Sequence, residues 1–98
     1  MGPLSMENLE YVPRTIEEET RLTLEVLETI LKLAGCTRRD VVKCTVWLSD
    51  LADYESYNRA FTEFFGGHRP GRSTVGAPLL RGIKVEIEAI AELPESEG

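Results

Sequence analysis

The chain has 98 residues, 29% of them charged, with a net charge of −6. This length holds one domain with a limited core, and the composition is that of a folded protein rather than a disordered one. The acidic balance argues against nucleic acid, because phosphate binding needs clustered Lys and Arg. Here the basic residues are scattered, as at Arg38, Arg39, Arg69 and Arg72.

No apolar run approaches the roughly 20 residues of a membrane span, so no membrane partner is expected. The start, MGPLSMENLE, has neither a basic n-region nor an apolar h-region, which points to a cytoplasmic protein. Met1–Ser5 resembles a cloning remnant ahead of an internal start at Met6. The two cysteines suit a reducing compartment. Cys36 is expected in a loop and Cys44 inside a strand, so no disulfide is expected between them. No metal site is expected either, because His68 is the single histidine and lies far from both cysteines.

Residues 1–14 show no clear period, and Pro3 and Pro13 break any long element. They read as a loop segment ahead of a domain over 15–93. Thr15-Ile-Glu-Glu has the form of a capping box, Thr15 with Glu18. Glu17, Glu18 and Glu19 suit the positive end of a helix dipole. The helix runs to Ala34. Ile16, Thr20, Leu24, Leu27, Leu31 and Ala34 form an apolar stripe, widened by Thr23 and Ile30. Gly35 is the expected left-handed C-cap.

Thr37–Asp40 reads as a capped turn. Val41–Leu48 is β-branched and apolar on both faces, as a central strand should be. Ser49–Asp53 supplies turn and capping groups. A second helix spans Tyr54–Phe65, with Tyr57, Ala60, Phe61 and Phe64 at core spacing. Asn58 falls off that stripe and is either a solvated residue or a site residue, the spacing favouring the solvated reading. Gly66-Gly67 ends the helix, and His68–Gly71 is a loop. A strand over Arg72–Ala77, a turn bracketed by Pro78 and Gly82, and a strand over Lys84–Ala91 complete the domain. In the last strand Val85, Ile87, Ala89 and Ala91 share one face, and Lys84, Glu86, Glu88 and Ile90 the other. Pro94–Gly98 is a polar tail, expected to be disordered.

The order helix, strand, helix, strand, strand implies an α+β layer with both helices on one face of the sheet. The other face is expected to carry Val and Ile from the central strand and to be covered by further copies of the chain.

No phosphate loop, His-Glu-x-x-His or Cys-x-x-Cys is present. Ser49 and Ser73 lack an obvious His partner for a triad, and His68 reads as a surface residue. Arg72 stands out. Its planar fork grips a carboxylate through two parallel hydrogen bonds, and Pro70-Gly71 stiffens and opens its approach. Glu86 lies on the strand expected to fold back beside it, where it would orient water or donate a proton. An ordinary surface ion pair between Arg72 and Glu86 or Glu88 fits the spacing equally well.

Several segments carry a resemblance. They are Gly35; Val41-Val42-Lys43 with Val46, Leu48 and Asp50; Tyr57-Asn58; Phe64-Phe65; Arg69-Pro70-x-Arg72-Ser73-x-Val75; and Val85-Glu86-Ile87-Glu88-Ala89-Ile90-Ala91. Over residues 15–92 the chain resembles the YjgF/RidA family. The last two blocks are the specific part, being similar to that family's Pro-Ala-Arg-Ser/Thr-x-Val signature and Ile/Val-Glu-Ile-Glu-Ala-Ile-Ala strand.

The resemblance implies a chorismate-mutase-like α+β protomer in a homotrimer, with a cleft at each subunit interface. It implies hydrolysis of reactive enamine and imine acids, such as 2-aminoacrylate and 2-iminopropanoate, to 2-keto acids and ammonia without a cofactor. Arg72 matches the carboxylate-binding Arg and Glu86 the water-orienting Glu. Thr74 falls at a small side chain lining the cleft, and Asn58 at an Asn near it. The chain departs from the family pattern at Gly71, usually Ala, and in a turn over 77–83 that is one residue short. It also lacks a counterpart of the N-terminal hairpin with its Gly-Pro-Tyr-Ser and Ser-Gly-Gln segments. Gly2–Pro13 resembles the loop that follows that hairpin. The missing hairpin favours an alternative, a non-catalytic member that binds small carboxylate metabolites. A ribonuclease or translation inhibitor is a third alternative, and the acidic balance argues against it.

Overall fold

A computed structural model describes residues 14–94. The order is α1 (Ile16–Leu33), β1 (Val41–Leu48), α2 (Tyr54–Phe65), β2 (Gly71–Gly76) and β3 (Val85–Ala91). Single 3-10 turns stand at Arg38–Asp40, Leu51–Asp53 and Leu80–Gly82. The expected cloning remnant, most of the N-terminal loop segment and the tail beyond Pro94 lie outside the described residues.

Local chemistry sets these bounds. The Thr15 hydroxyl accepts the Glu18 N–H at 3.2 Å and meets the Glu18 carboxylate at 3.0 Å. Gly35, at φ +81°, closes α1, with its N–H on the Lys32 carbonyl (3.1 Å) and the Cys36 N–H on the Leu31 carbonyl (2.8 Å). Thr37 and Asp40 complete a reciprocal capping box before β1. Asp50 caps the next turn by accepting the Ala52 N–H at 2.9 Å.

The sheet has the order β2-β1-β3. β1 is central, parallel to β2 and antiparallel to β3. The parallel pair is joined through α2, which packs with α1 on one face of the sheet. The expected α+β layer with both helices on one side is therefore the observed fold. Leu24, Leu27 and Leu31 of α1 and Tyr57, Phe61 and Phe65 of α2 form the core with Val41, Cys44, Val46, Leu48, Val85 and Ile87.

Four expectations need correction. Ile30 and Ala34 are exposed, and Val26 is buried in their place, because the buried stripe of α1 turns toward α2 and β3. Phe65, not Phe64, fills the core; Phe64 lies half-buried under the Arg38 guanidinium, 4.1 Å from its ring centre. Glu19 is more than a dipole partner. It is fully buried, and its carboxylate takes the Lys84 backbone N–H at 3.0 Å and the Lys84 ammonium at 3.2 Å. It thereby clamps the start of β3 to α1.

The fourth correction concerns the open face of the sheet. A bulge between Val41 and Lys43 turns Val42 and Lys43 outward together. That shift brings Val41, Cys44, Val46 and Leu48 all onto the helix side, each fully buried. The open face carries no Val or Ile from the regular part of β1. Its apolar groups are Trp47 together with Val75 of β2 and Ile90 of β3, set among Thr45, Glu86 and Glu88.

Candidate functional site

The loop that leaves α2 turns back toward the sheet at Gly66, φ +58°, and delivers the chain into β2 at Gly71. In the ladder, Arg72 stands opposite Cys44 and Thr74 opposite Val46. Both side chains therefore point to the helix side. The Arg72 guanidinium lies over two rings of α2, 4.7 Å from the centre of Phe61 and 5.6 Å from that of Tyr57. The rings face the cation with their electron-rich surfaces and hold it in place.

Between the second half of α2 and this loop is a cleft of about 370 Å³, lined by Asn58, Phe61, Phe65, His68, Arg69 and Arg72 among others. Two of its polar atoms are buried and have no hydrogen-bond partner among the described residues: Nη1 of Arg72 and Oδ1 of Asn58. One is a donor and the other an acceptor. A buried polar atom without a partner costs about 1–3 kcal/mol, more when charged. Such pairs persist where a ligand supplies the missing bonds.

The groups around the cleft are fixed. The Tyr57 and Thr74 hydroxyls meet at 3.1 Å. Burial pushes the Tyr57 phenol above its ordinary range, against the opposing pull of the Thr74 bond and the Arg72 charge. Burial likewise pushes the Cys44 thiol up to about 11, the Arg72 charge again pulling the other way. Cys44 is therefore a protonated core residue, not a nucleophile. Nε2 of His68 donates to the Val41 carbonyl at 2.7 Å, and Nδ1 has no hydrogen bond among the described residues.

The residues singled out in the sequence separate into two groups. Arg72 and Asn58 meet in the cleft. Thr74 lies beside it, engaged with Tyr57, and is not part of its lining. Glu86 is elsewhere. It stands opposite Trp47 on the exposed face, between the buried Val85 and Ile87. β2 and β3 flank β1 on opposite edges, so the expected folding back of one strand beside the other does not occur. No ion pair joins Arg72 to Glu86 or Glu88 among the described residues. Asn58, read from spacing as solvated, is half-buried in the lining. His68, read as a surface residue, is half-buried there too. The visible signal for His68 was its place between Gly66-Gly67 and Pro70-Gly71, a loop held at both ends.

Residues 2–93 match the endoribonuclease L-PSP family. The chain belongs to this family, known as YjgF/RidA. Among its YjgF/RidA relatives, the mitochondrial protein mmf2 of Schizosaccharomyces pombe is 38% identical over 94 residues, covering 92% of this chain and 75% of that protein. A 2-iminobutanoate/2-iminopropanoate deaminase of Mus musculus is 43% identical over 83 residues, covering 84% of this chain and 62% of the mouse protein. The crystal structure of Escherichia coli TdcF with bound serine superposes with a TM-score of 0.84 at 35% identity, covering 92% of this chain and 73% of TdcF. These YjgF/RidA likenesses agree with the two-helix, three-strand layer. No helix among the described residues is long and apolar enough to cross a membrane.

Proposed function

We propose that this chain hydrolyses small 2-imino acids to 2-keto acids and ammonia. The observation that carries the reading is the unpartnered pair in one cleft, the Arg72 Nη1 donor and the Asn58 Oδ1 acceptor. An α-imino acid supplies both complements, a carboxylate for the guanidinium and a protonated imine N–H for the amide oxygen. The deaminase name of the mouse relative and the serine bound to TdcF support a small amino-acid-like ligand.

In this reading Arg72 grips the carboxylate and fixes the imine carbon. Asn58 accepts from the iminium nitrogen. Water adds to the C=N carbon, a proton passes from the new hydroxyl to nitrogen, and C–N cleavage releases ammonia and leaves C=O. Imine hydrolysis is intrinsically easy, so holding the reactants in place and modest acid–base help suffice. Glu86 orients that water from the open sheet face of a neighbouring copy, in a homotrimer whose cleft lies between subunits. No cofactor enters the scheme.

The test is imine hydrolysis followed with purified protein. Arg72→Ala is expected to abolish the acceleration, and equal rates for the two proteins would remove Arg72 from the mechanism. A second reading, a non-catalytic binder of small carboxylates, is favoured by the absence of Glu86 from the cleft of its own chain. It predicts calorimetric binding of 2-ketobutyrate without turnover of any imine.

A further inference from the structure

We infer that Arg69 forms a second anion subsite in this cleft, so that its preferred ligands are acids with two carboxylates. The inference rests on the reading of the cleft as a 2-imino acid site and extends it to the class of side chain that is accepted.

Charge is the first argument. Among the described residues the cleft lining holds two guanidiniums, Arg69 and Arg72, together with His68, and no Asp or Glu. The chain as a whole carries −6. A single carboxylate satisfies Arg72, whose fork it matches. The second guanidinium then has no counter-charge in the cleft, and Arg69 makes no ion pair among the described residues.

The second argument is size. A three-carbon imino acid has six non-hydrogen atoms. At roughly the volume share of one water per atom it fills on the order of 180 Å³. That is about half of the 370 Å³ cleft. The remaining space admits a longer ligand.

Rigidity is the third. An arginine on a loose loop is an ordinary solvated charge, but this loop is tied down. The His68 N–H bonds the Phe65 carbonyl at 3.1 Å, and its ring bonds the Val41 carbonyl at 2.7 Å. Pro70 restricts the backbone of Arg69, and Gly71 is already in the sheet opposite Lys43. Arg69 is exposed where Arg72 is half-buried. This places Arg72 at the back of the cleft and Arg69 at its mouth. An ordered loop loses little freedom when it binds a second carboxylate.

Imines made in situ by amino-acid oxidases from alanine and from glutamate supply the two probes. The wild-type protein is expected to prefer the glutamate-derived imine in kcat/KM by roughly tenfold or more, the value of one charge-assisted hydrogen bond. In Arg69→Ala that preference falls toward unity, and in Arg69→Glu it inverts. Arg39→Ala, a charge removed from a separate turn, leaves the preference at its wild-type value. An unchanged preference in Arg69→Ala, or no preference in the wild type, overturns the inference while leaving the deaminase reading intact. If the wild type turns over neither imine, the deaminase reading fails. Calorimetry with 2-ketoglutarate against 2-ketobutyrate then decides the subsite on the same variants: a tighter grip on 2-ketoglutarate that Arg69→Ala abolishes supports it, and equal affinities overturn it.

Discussion

Arg72 and Glu86 point to opposite faces of one sheet. Arg72 stands opposite Cys44 on the helix side, and Glu86 opposite Trp47 on the open side. A reaction that uses both must therefore draw them from different copies of the chain. Arg72→Ala and Glu86→Ala are each expected to be inactive alone. Refolded together in equal amounts, they should regain about a quarter of wild-type sites, the fraction in which an intact Arg72 meets an intact Glu86. No recovery in the mixture would show that the two do not act across an interface.

Asn58 offers a separation of stability from activity. Its Oδ1 has no partner among the described residues, so its polarity is a cost to the fold. Asn58→Leu should leave the unfolding temperature unchanged or slightly raised, while kcat/KM falls by roughly tenfold or more. A drop of more than about 8 °C, equivalent to 1–2 kcal/mol for a chain of this size, would assign Asn58 to the fold instead.

Glu19 behaves in the opposite sense. Its buried carboxylate serves both the backbone and the side chain of Lys84. Glu19→Ala should cost about 2–3 kcal/mol, discounted for the partial exposure of Lys84. Glu18→Ala, which removes a contact at the exposed cap, should cost less than about 1 kcal/mol. Urea titrations of the two variants compare them directly, and equal losses would refute the clamp.

Stability should also depend on pH in a defined window. The Cys44 thiol is raised by burial from 9.0 to about 11. The folded chain keeps a proton there that the unfolded chain releases. The contribution is thus complete below about pH 9 and is lost as pH rises toward 11. Its size is about 2–3 kcal/mol at most, from about 1.4 kcal/mol per pH unit. Tyr57, also raised, adds a decline that begins above its ordinary 10.0. Urea midpoints at pH 8 to 11 should fall for the wild type, and in Cys44→Ala the decline should start about one unit later. An identical onset in both would exclude Cys44 as the source.

Much of the fold could be read from the residues. The helices, the central strand and the faces of β3 follow from caps, Gly35 and clean alternation. The site was harder, and β2 shows why. In Gly71–Gly76 the one strongly apolar residue is Val75, and the usual rule turns it inward. That choice would set Arg72 outward, on the same face as Glu86. The strand does the reverse: Val75 is exposed, while Arg72 and Thr74 point at the α2 rings. A polar strand face turned inward is stable here because Phe61 and Tyr57 stack on the guanidinium and a hydroxyl pair absorbs Thr74. Spacing along one strand does not reveal those partners, which come from another element. Local patterns mislead most often where a site departs from the ordinary rule, and this strand is such a place. Only the family resemblance moved Asn58 toward the cleft, because one polar residue beside a core stripe has no direction of its own.

The central position of β1 also bears on how the chain is made. Both of its neighbours come later in the sequence, β2 ending at Gly76 and β3 at Ala91. At about 5–20 residues per second, several seconds can pass between synthesis of Leu48 and of Ala91. Throughout that interval one of the most apolar segments of the chain has an open edge. The nascent chain thus carries an unpaired apolar strand edge, a site open to aggregation, from the synthesis of Leu48 until its last strand is made.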